Sequence, residues 1–550
     1  MFCDKINVNI LTSILFQSGI TDVVVCPGSR NAVIVHNLNE LAQTEKRKGT
    51  KENFRLHAVT DERSAAFVSL GISLTQGLRP VAVCVTSGSA LLNTLPAVAE
   101  AFYRQIPLLV ISADRPRQLI GQLDGQTIPQ ESALSPYAKT YTLYEPNSEA
   151  EAHWCRNTVC EAFITLKRRG GGPVHINVPL SEPLFTFTTP KLPASSPIKF
   201  CEATGVNPPP SLVRKINDAV LPTIIVGQCE SKASILQQLD EENKMLVLPE
   251  LVSNQTNAHR TTLLEKDTDL REQLHPDLVI HVGGNLVNKQ LKLALRKQGT
   301  LSVIRIQKNG GMPDTFMHLD MLIESDWEHL LTQLRSQLKS NDNVRRMRQQ
   351  LDAPPSVPPS SLATQKADAA PFPDIQHSVM VAVKQQLLEK RLPLDAIHLA
   401  NSTVVRTATS VFNDAACLLR VNRGVNGIEG SLSTAAGNSL ATDKMVLVFI
   451  GDLSFFYDQN ALWNSELRGN LRIVLFNNSG GRIFKHLPGL ADSPARDNYI
   501  AGVHHTSARG ISETHHLNYL MTDRPDELQA SVARLLECES ERPVLLEIIC

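Results

Sequence analysis

The chain has 550 residues, too many for a single hydrophobic core; at about 150 residues per domain it should divide into three or four domains, and three are expected. Its 54 basic and 55 acidic residues leave a formal net charge of −1, which excludes a global field steering it to nucleic acid or an acidic membrane surface, so any anion specificity has to be local. The ten cysteines, at 3, 26, 84, 155, 160, 201, 229, 417, 538 and 550, contain no Cys-x-x-Cys pair; they are too scattered for a disulfide framework or a zinc site, and a reducing cytoplasm is expected.

The N-terminal segment carries polar residues through an apolar pattern, which predicts an amphipathic helix rather than a signal peptide. Three stretches then repeat one rhythm: a short β-branched apolar run ends in Gly, Pro, Ser or Asp and is followed by a longer helical pattern, the signature of parallel α/β structure. The first holds runs at 22–26, 81–86, 107–112 and 172–179. The second holds 223–227, 245–248, 278–283 and 301–306, and the third 396–401, 445–451, 472–477 and 543–549. The expected division is a first domain over 1–188, a linker over 189–210, a central domain over 211–352, a proline-rich linker over 353–374 and a last domain over 375–550. No apolar run approaches the ~20 residues needed to cross a bilayer, so no membrane insertion is expected. In sheets of this kind ligands sit beyond the carboxyl ends of the strands, so the residues just after each apolar run matter most.

By that rule Asp452, which follows the run 445–450 and Gly451, projects from a strand end into the crevice. Asn478 follows the run 472–476, and Gly480-Gly481 sit in a loop whose backbone can approach a ligand closely. Mg²⁺ prefers oxygen ligands from one or two carboxylates or amides together with phosphate oxygens, and that set is available here. The plain alternative makes Asp452 a helix cap and 477–481 an ordinary turn. Their spacing, each at the end of an apolar strand, favours one shared site.

Gly451-Asp452 followed by Asn477-Asn478 resembles the fingerprint of the thiamine-diphosphate-dependent enzymes. The resemblance implies three doubly wound parallel α/β domains (pyrimidine-binding, central and diphosphate-binding), thiamine diphosphate as cofactor, and Mg²⁺, with Mn²⁺ as a substitute, held by Asp452, Asn478 and the Gly480 carbonyl. Such enzymes need a buried carboxylic acid to share a proton with the cofactor's aminopyrimidine. The strand-like 54–59 runs into Thr60-Asp61-Glu62-Arg63-Ser64-Ala65-Ala66, similar to the family's Glu-x-x-Ala-Ala, which assigns catalysis to Glu62. The alternative has Thr60 capping a helix while Asp61 and Glu62 complement its dipole. Family enzymes place this Glu on a different subunit from the metal motif, so the resemblance implies a homodimer or a dimer of dimers.

Leu453 stands where the general fingerprint has Gly. It is expected in one branch of the family, which the chain resembles at Cys26-Pro27-Gly28-Ser29-Arg30, Ala113-Asp114-Arg115-Pro116, Asn401-Ser402-Thr403-Val404-Val405-Arg406, Asn422-Arg423-Gly424 and Asn477 through Phe484. That branch decarboxylates 2-oxoglutarate and adds the succinic-semialdehyde carbanion to isochorismate in menaquinone biosynthesis. Two dicarboxylates demand several cations, and the planar fork of arginine pairs with carboxylates two-by-two. The resemblance assigns substrate binding to Arg30, Arg115, Gln126, Lys289, Arg406, Arg423 and Phe484, and catalysis to Ser402 beside Glu62. Cofactor contact falls to Glu62, Ile428, Asp452, Leu453, Ser454, Asn478, Gly480, Gly481 and Ile483. For each Arg alone, a solvated surface group is the commoner role. Asn31, Gly125 and Gln290 depart from the branch's pattern and bear on the isochorismate contacts.

The histidine pairs at 504–505 and 515–516 lie outside any His-Glu-x-x-His helix and are expected in a mobile polar loop. Gly170-Gly171-Gly172 precedes a strand rather than a helix and is expected to be a turn. Two rival functions remain: an acetolactate-synthase-like enzyme acting on another 2-oxoacid, and a catalytically silent thiamine-fold binding protein.

Overall fold

A computed structural model describes residues 1–48, 54–202, 205–353, 375–413, 417–487, 489–490 and 492–550. The proline-rich linker expected at 353–374 lies outside the described residues except for Ala353. The expected α/β class holds, with three sheets whose strands all pair in parallel.

The first sheet holds β1 (Asp22–Val25), β2 (Arg55–Ala58), β3 (Val81–Val85), β4 (Leu108–Asp114), β5 (Lys139–Thr142) and β6 (Val174–Pro179), in the order β2-β1-β3-β4-β6-β5. The second holds β7 (Pro222–Val226), β8 (Leu246–Pro249), β9 (Leu278–Val282), β10 (Ser302–Gln307) and β11 (Leu319–Glu324), ordered β11-β10-β9-β7-β8. The third holds β12 (Leu394–Leu399), β13 (Leu419–Arg420), β14 (Met445–Gly451), β15 (Leu471–Asn477), β16 (Asn518–Thr522) and β17 (Val544–Ile549), ordered β13-β12-β14-β15-β17-β16. Counted from its own first strand, the third sheet repeats the order of the first. Strand order reverses between β1 and β3, between β7 and β9, and between β12 and β14. Each reversal opens a crevice at the carboxyl ends.

Central strands such as β14 form because Val446 through Ile450 are buried on both faces by flanking helices; each such side chain contributes about 1.5–3 kcal/mol relative to exposure. One apolar cluster runs without a break from Val83 and Val85 of the first sheet to Val446 and Ile473 of the third. Its bridge is a pair of helices, Glu62–Thr75 and Ser431–Ala441, which approach so closely at Gly71 and Gly437 that an added Cβ would lie 2.0 Å from the Thr434 and Val68 carbonyl oxygens respectively.

The N-terminal helix spans Ile6–Gln17, but it is buried from Asn7 to Leu15 rather than on one stripe. Its polar side chains are satisfied internally: Asn7 Nδ2 donates to Leu143 O at 2.9 Å and Asn9 Nδ2 to Cys3 O at 2.9 Å. The amphipathic expectation is corrected accordingly, since a polar side chain with a backbone partner is compatible with burial. No helix among the described residues is long and apolar enough to cross a membrane. None of the ten cysteines is in a disulfide.

Candidate active site

The β12/β14 crevice gathers the third-domain candidates. Helix Asp452–Tyr457 starts where β14 ends, and Asp452 is 3% exposed. Its Oδ1 accepts the Leu453 N–H at 2.7 Å, while Oδ2 accepts the N–H groups of Asn478 at 3.0 Å and Gly480 at 2.9 Å. One carboxylate thus ties the end of β14 to the end of β15. The turn needs Gly480, which has φ +137° and Ala501 O 3.0 Å from where a Cβ would stand. Asn477 turns away, donating to Glu547 Oε1 at 2.7 Å and Thr506 O at 2.8 Å, while Asn478 is the one bonded to Asp452. Asn478 Oδ1 is buried and accepts no hydrogen bond among the described residues. A buried acceptor without a donor is costly; beside a carboxylate it fits a hard cation. No cluster of three or more His, Cys, Asp or Glu occurs among the described residues, so a cation here has to draw on amide and carbonyl oxygen. Ser454 is buried in the helix that Asp452 opens, Leu453 reaches Gly502, and Phe484 packs where a Cβ on Gly481 would stand. Ile483 is half-buried in the short helix Arg482–His486.

On the β12 side, Ser402 holds φ +75° and ψ −128° just before helix Thr403–Val411, a strained conformation for a residue with a Cβ. Its carbonyl accepts from Arg406 Nη1 at 2.7 Å. Arg423 donates to Asn401 Oδ1 at 3.2 Å, and its buried Nε has no partner among the described residues. Burial pushes the Arg423 guanidinium down, and the charge of Arg406 pushes it further. Ile428, on the same loop, is 40% exposed. Lys289 is exposed at the start of helix Lys289–Arg296 in the central domain. The loop before that helix docks here, with Asn285 donating to the Arg423 and Gly424 carbonyls.

A second group lies on the first sheet. Glu62 opens its helix after β2, is half-buried, and accepts from Asn93 Nδ2 at 3.1 Å. The cap is Asp61 rather than Thr60: its carboxylate accepts the N–H groups of Arg63 and Ser64. Arg30 is buried, donating to Leu180 O at 3.3 Å and pairing with Glu182 at 3.0 Å. Arg115 Nε holds the Gly125 carbonyl at 3.2 Å, which sets the loop carrying exposed Gln126 at φ +56°. Among the described residues no hydrogen bond or ion pair joins Arg30, Glu62, Arg115 or Gln126 to the group around Asp452.

Residues 8–134 match the family described as "Thiamine pyrophosphate enzyme, N-terminal TPP binding domain". The chain is 38% identical to the 2-succinyl-5-enolpyruvyl-6-hydroxy-3-cyclohexene-1-carboxylate synthase of Bacteroides thetaiotaomicron, over 100% of this chain and 96% of that one. It is 35% identical to the synthase of the same name from Desulfotalea psychrophila, over 91% of this chain and 90% of that one. The chain belongs to the 2-succinyl-5-enolpyruvyl-6-hydroxy-3-cyclohexene-1-carboxylate synthase family. Its fold is shared with a Rhodococcus jostii RHA1 thiamine diphosphate-dependent 4-hydroxybenzoylformate decarboxylase, with a TM-score of 0.70 at 17% identity, over 99% of this chain and 98% of that one.

Three further residues of this synthase-family chain lie outside its motifs, and a fourth, His504, sits in a setting of its own. Glu100, 2% exposed, accepts the N–H groups of Gly424 at 2.9 Å and Val425 at 2.8 Å; its signal was an acid on the apolar face of a helix. Glu250 follows β8 directly and is pushed up to about 7 by burial, with its carboxylate accepting the Asn288 N–H at 2.9 Å; the strand-end rule applied to it. Lys292, one helical turn beyond Lys289, is half-buried and pushed down by burial and by the charges of Arg296 and Arg423, against the pull of Glu250. His504, expected in a mobile polar loop, lies 3.4 Å from Asp452 Oδ2 with its side chain 17% exposed. The polar loop is present, and it folds back beside Asp452 because its backbone bonds to the turn, His504 N–H donating to Ser479 O.

Proposed function

We propose that the chain is a 2-succinyl-5-enolpyruvyl-6-hydroxy-3-cyclohexene-1-carboxylate synthase acting in menaquinone biosynthesis, using thiamine diphosphate with Mg²⁺. It would decarboxylate 2-oxoglutarate and add the remaining four-carbon fragment to isochorismate. The observation that carries the cofactor assignment is the buried Asn478 Oδ1, without a hydrogen-bond partner among the described residues, on a residue whose backbone N–H donates to the Asp452 carboxylate. The substrate assignment rests on relatives of that name matched over 100% and 91% of this chain.

Bound thiamine diphosphate supplies the electron sink that lets a 2-oxoacid lose CO₂. Asp452, Asn478 and the Gly480 carbonyl would hold the Mg²⁺, with Leu453, Ser454, Gly481 and Ile483 around the diphosphate and Ile428 against the cofactor's rings. Glu62 would hold a proton at its carboxyl and share it with the cofactor's pyrimidine nitrogen. The product's name carries three carboxylates, so the site has to neutralise dense negative charge. Arg406 and Arg423 from the third domain, Lys289 from the central one, and Arg30 and Arg115 from the first supply the counter-charge. Ser402, Gln126 and Phe484 would orient the acceptor near the reacting carbon.

A homodimer is part of the proposal. Glu62 is only half-buried and Ile428 is 40% exposed in the single chain, and a second copy whose first domain faces this third domain would close the two half-sites on each other. Cysteines outside any disulfide fit a reducing cytoplasm.

The test is to incubate the purified protein with thiamine diphosphate, Mg²⁺ and 2-oxoglutarate, with and without isochorismate, and to follow CO₂ and product mass. Release of CO₂ with a product of the expected mass is the supporting outcome. A preference for pyruvate would remove the substrate assignment and favour the acetolactate-synthase-like alternative.

A further inference from the structure

His504 carries a hydrogen-bond donor that no acceptor among the described residues takes up. The Thr506 N–H donates to its Nδ1 at 3.1 Å, so Nδ1 is an acceptor and the hydrogen-bond network assigns the ring proton to Nε2. The ring is held edge-on against Phe456, with centroids 5.3 Å apart at 88°, and the backbone N–H donates to Ser479 O at 3.2 Å. This side chain is therefore fixed from three directions. Its Nε2 is buried and has no hydrogen-bond partner among the described residues.

The nearest acceptor does not use that donor. Asp452 Oδ2 lies 3.4 Å from Nε2 but already accepts from the backbone of Asn478 and Gly480, while Oδ1 accepts from Leu453. Nor can Nε2 be a metal ligand in this tautomer, because its lone pair is taken by the proton. A fixed, buried N–H beside a filled carboxylate and an orphaned Asn478 oxygen is a donor awaiting an oxygen that arrives with the cation. Phosphate oxygens are that kind of acceptor, and they complete the shell of a Mg²⁺ held by few protein ligands.

We propose that His504 is a cofactor-binding residue whose Nε2–H donates to a diphosphate oxygen. The proposal rests on the thiamine-diphosphate assignment above. Neighbouring His505 is exposed and has no such role.

Calorimetric titration of the full chain with thiamine diphosphate at saturating Mg²⁺ tests it without turnover. His504→Phe keeps the ring against Phe456 and removes the donor; it should raise Kd roughly tenfold, about the worth of one charge-assisted hydrogen bond. His504→Gln restores an N–H and should recover most of the loss, a rescue that a purely packing role would not give. His505→Ala should bind as the unsubstituted chain does. Inorganic pyrophosphate with Mg²⁺, used as a competitor, should lose affinity in His504→Phe by a similar factor. If His504→Phe does not fold, His504→Asn, whose amide stops short of the same point, is measured in its place. Unchanged or tighter binding in the folded variant overturns the proposal. If the unsubstituted chain binds no thiamine diphosphate at all, the cofactor assignment fails instead.

Discussion

Glu100 of the first domain and Gly424 of the third meet across the domain boundary, the carboxylate accepting the Gly424 N–H at 2.9 Å. There is no space between them for a side chain, since a Cβ on Gly424 would lie 2.8 Å from both the Glu100 carbonyl oxygen and Oε2. Burial pushes the Glu100 carboxyl up, against the opposing pull of Arg104 and the two N–H groups. Arg104 in turn pairs with Glu230 of the central domain. All three domains therefore fix the loop that presents Arg423 and Ile428. Glu100→Gln can accept only one of the two N–H groups and turns a donor toward the other. It should raise KM for the carboxylate substrate roughly tenfold, the worth of one charge-assisted hydrogen bond, with a smaller fall in kcat. Equal losses in both constants would argue for global damage rather than a misplaced Arg423.

Glu62→Gln separates proton sharing from binding. The amide keeps the size of the carboxyl and can still accept from Asn93, so thiamine diphosphate should bind with little change. Exchange of the bound cofactor's C2 proton, followed by NMR after acid quench, should slow by about 100-fold or more, the usual scale of general acid–base catalysis. Full exchange in this variant would remove Glu62 from its proposed role.

The crossing of helices Glu62–Thr75 and Ser431–Ala441 depends on two glycines. In Gly437→Ala the new methyl would meet the Val68 carbonyl oxygen at 2.0 Å, and backbone cannot rotate aside as a side chain can. The cost should be about 3 kcal/mol or more, at the upper end of overpacking effects, seen as a lower melting temperature. Gly125→Ala is the control, because a Cβ there meets nothing within 4 Å.

The class of fold and the strand ends were legible because buried parallel strands are continuous apolar runs and their termini carry the polar residues. Asp452 and Asn478 could be paired from spacing alone. That the third sheet repeats the strand order of the first could not, since order depends on which helix crosses which face, and the two sequences share only rhythm. Residues that act through another chain segment were also hidden. Glu100 lies more than 300 positions from the loop it holds, and His504 reaches Asp452 only because the chain folds back from the turn at Ser479. Asp61 shows a smaller failure: Thr60 and Asp61 are both good caps, and only the backbone angles decide between them.

β2, the strand just before Glu62, is pinned by a buried charge relay. His57 Nε2 lies 2.9 Å from Asp22 Oδ1 and Nδ1 3.2 Å from Glu466 Oε2, while Glu466 Oε1 accepts the Ala58 N–H at 3.2 Å. Burial alone would push the imidazole down, but hydrogen bonds to both carboxylates outweigh it and hold it above its ordinary range. Asp22, despite its burial, is held well below the usual carboxylate range by His57, Gln76 and Arg55. A raised base stabilises in full below its unfolded value of about 6.5 and loses that contribution as pH rises through the folded value. The depressed carboxylates stabilise in full above about pH 4 and lose it as pH falls through their folded values. The anchor is thus strongest at about pH 5–6. The unsubstituted protein should lose more melting temperature than His57→Asn between about pH 6 and about pH 9; parallel curves would show that the relay carries no pH dependence.

Glu250 makes the opposite kind of prediction, because its partners do not outweigh its burial. Its carboxyl is pushed up to about 7 by desolvation; the negative charge of Glu265 adds to this, while the Asn288 and Val287 N–H groups and the charge of Arg423 oppose it. Folding therefore favours the protonated form, and stability should decline as pH rises from the unfolded value near 4.3 to about 7, then level off. Binding should follow the same titration. Below pH 7 the neutral acid leaves the charges of Arg423 and Lys292 free for a dicarboxylate. Above it the anion competes for them. KM for the carboxylate substrate should rise roughly tenfold across this range, equivalent to about 1.4 kcal/mol of solvent-screened charge competition. Glu250→Gln, neutral throughout, should hold the low-pH value at every pH and flatten the stability curve as well. A KM profile in Glu250→Gln that still rises through pH 7 would assign the titration to another group and leave Glu250 a purely structural acceptor for Asn288.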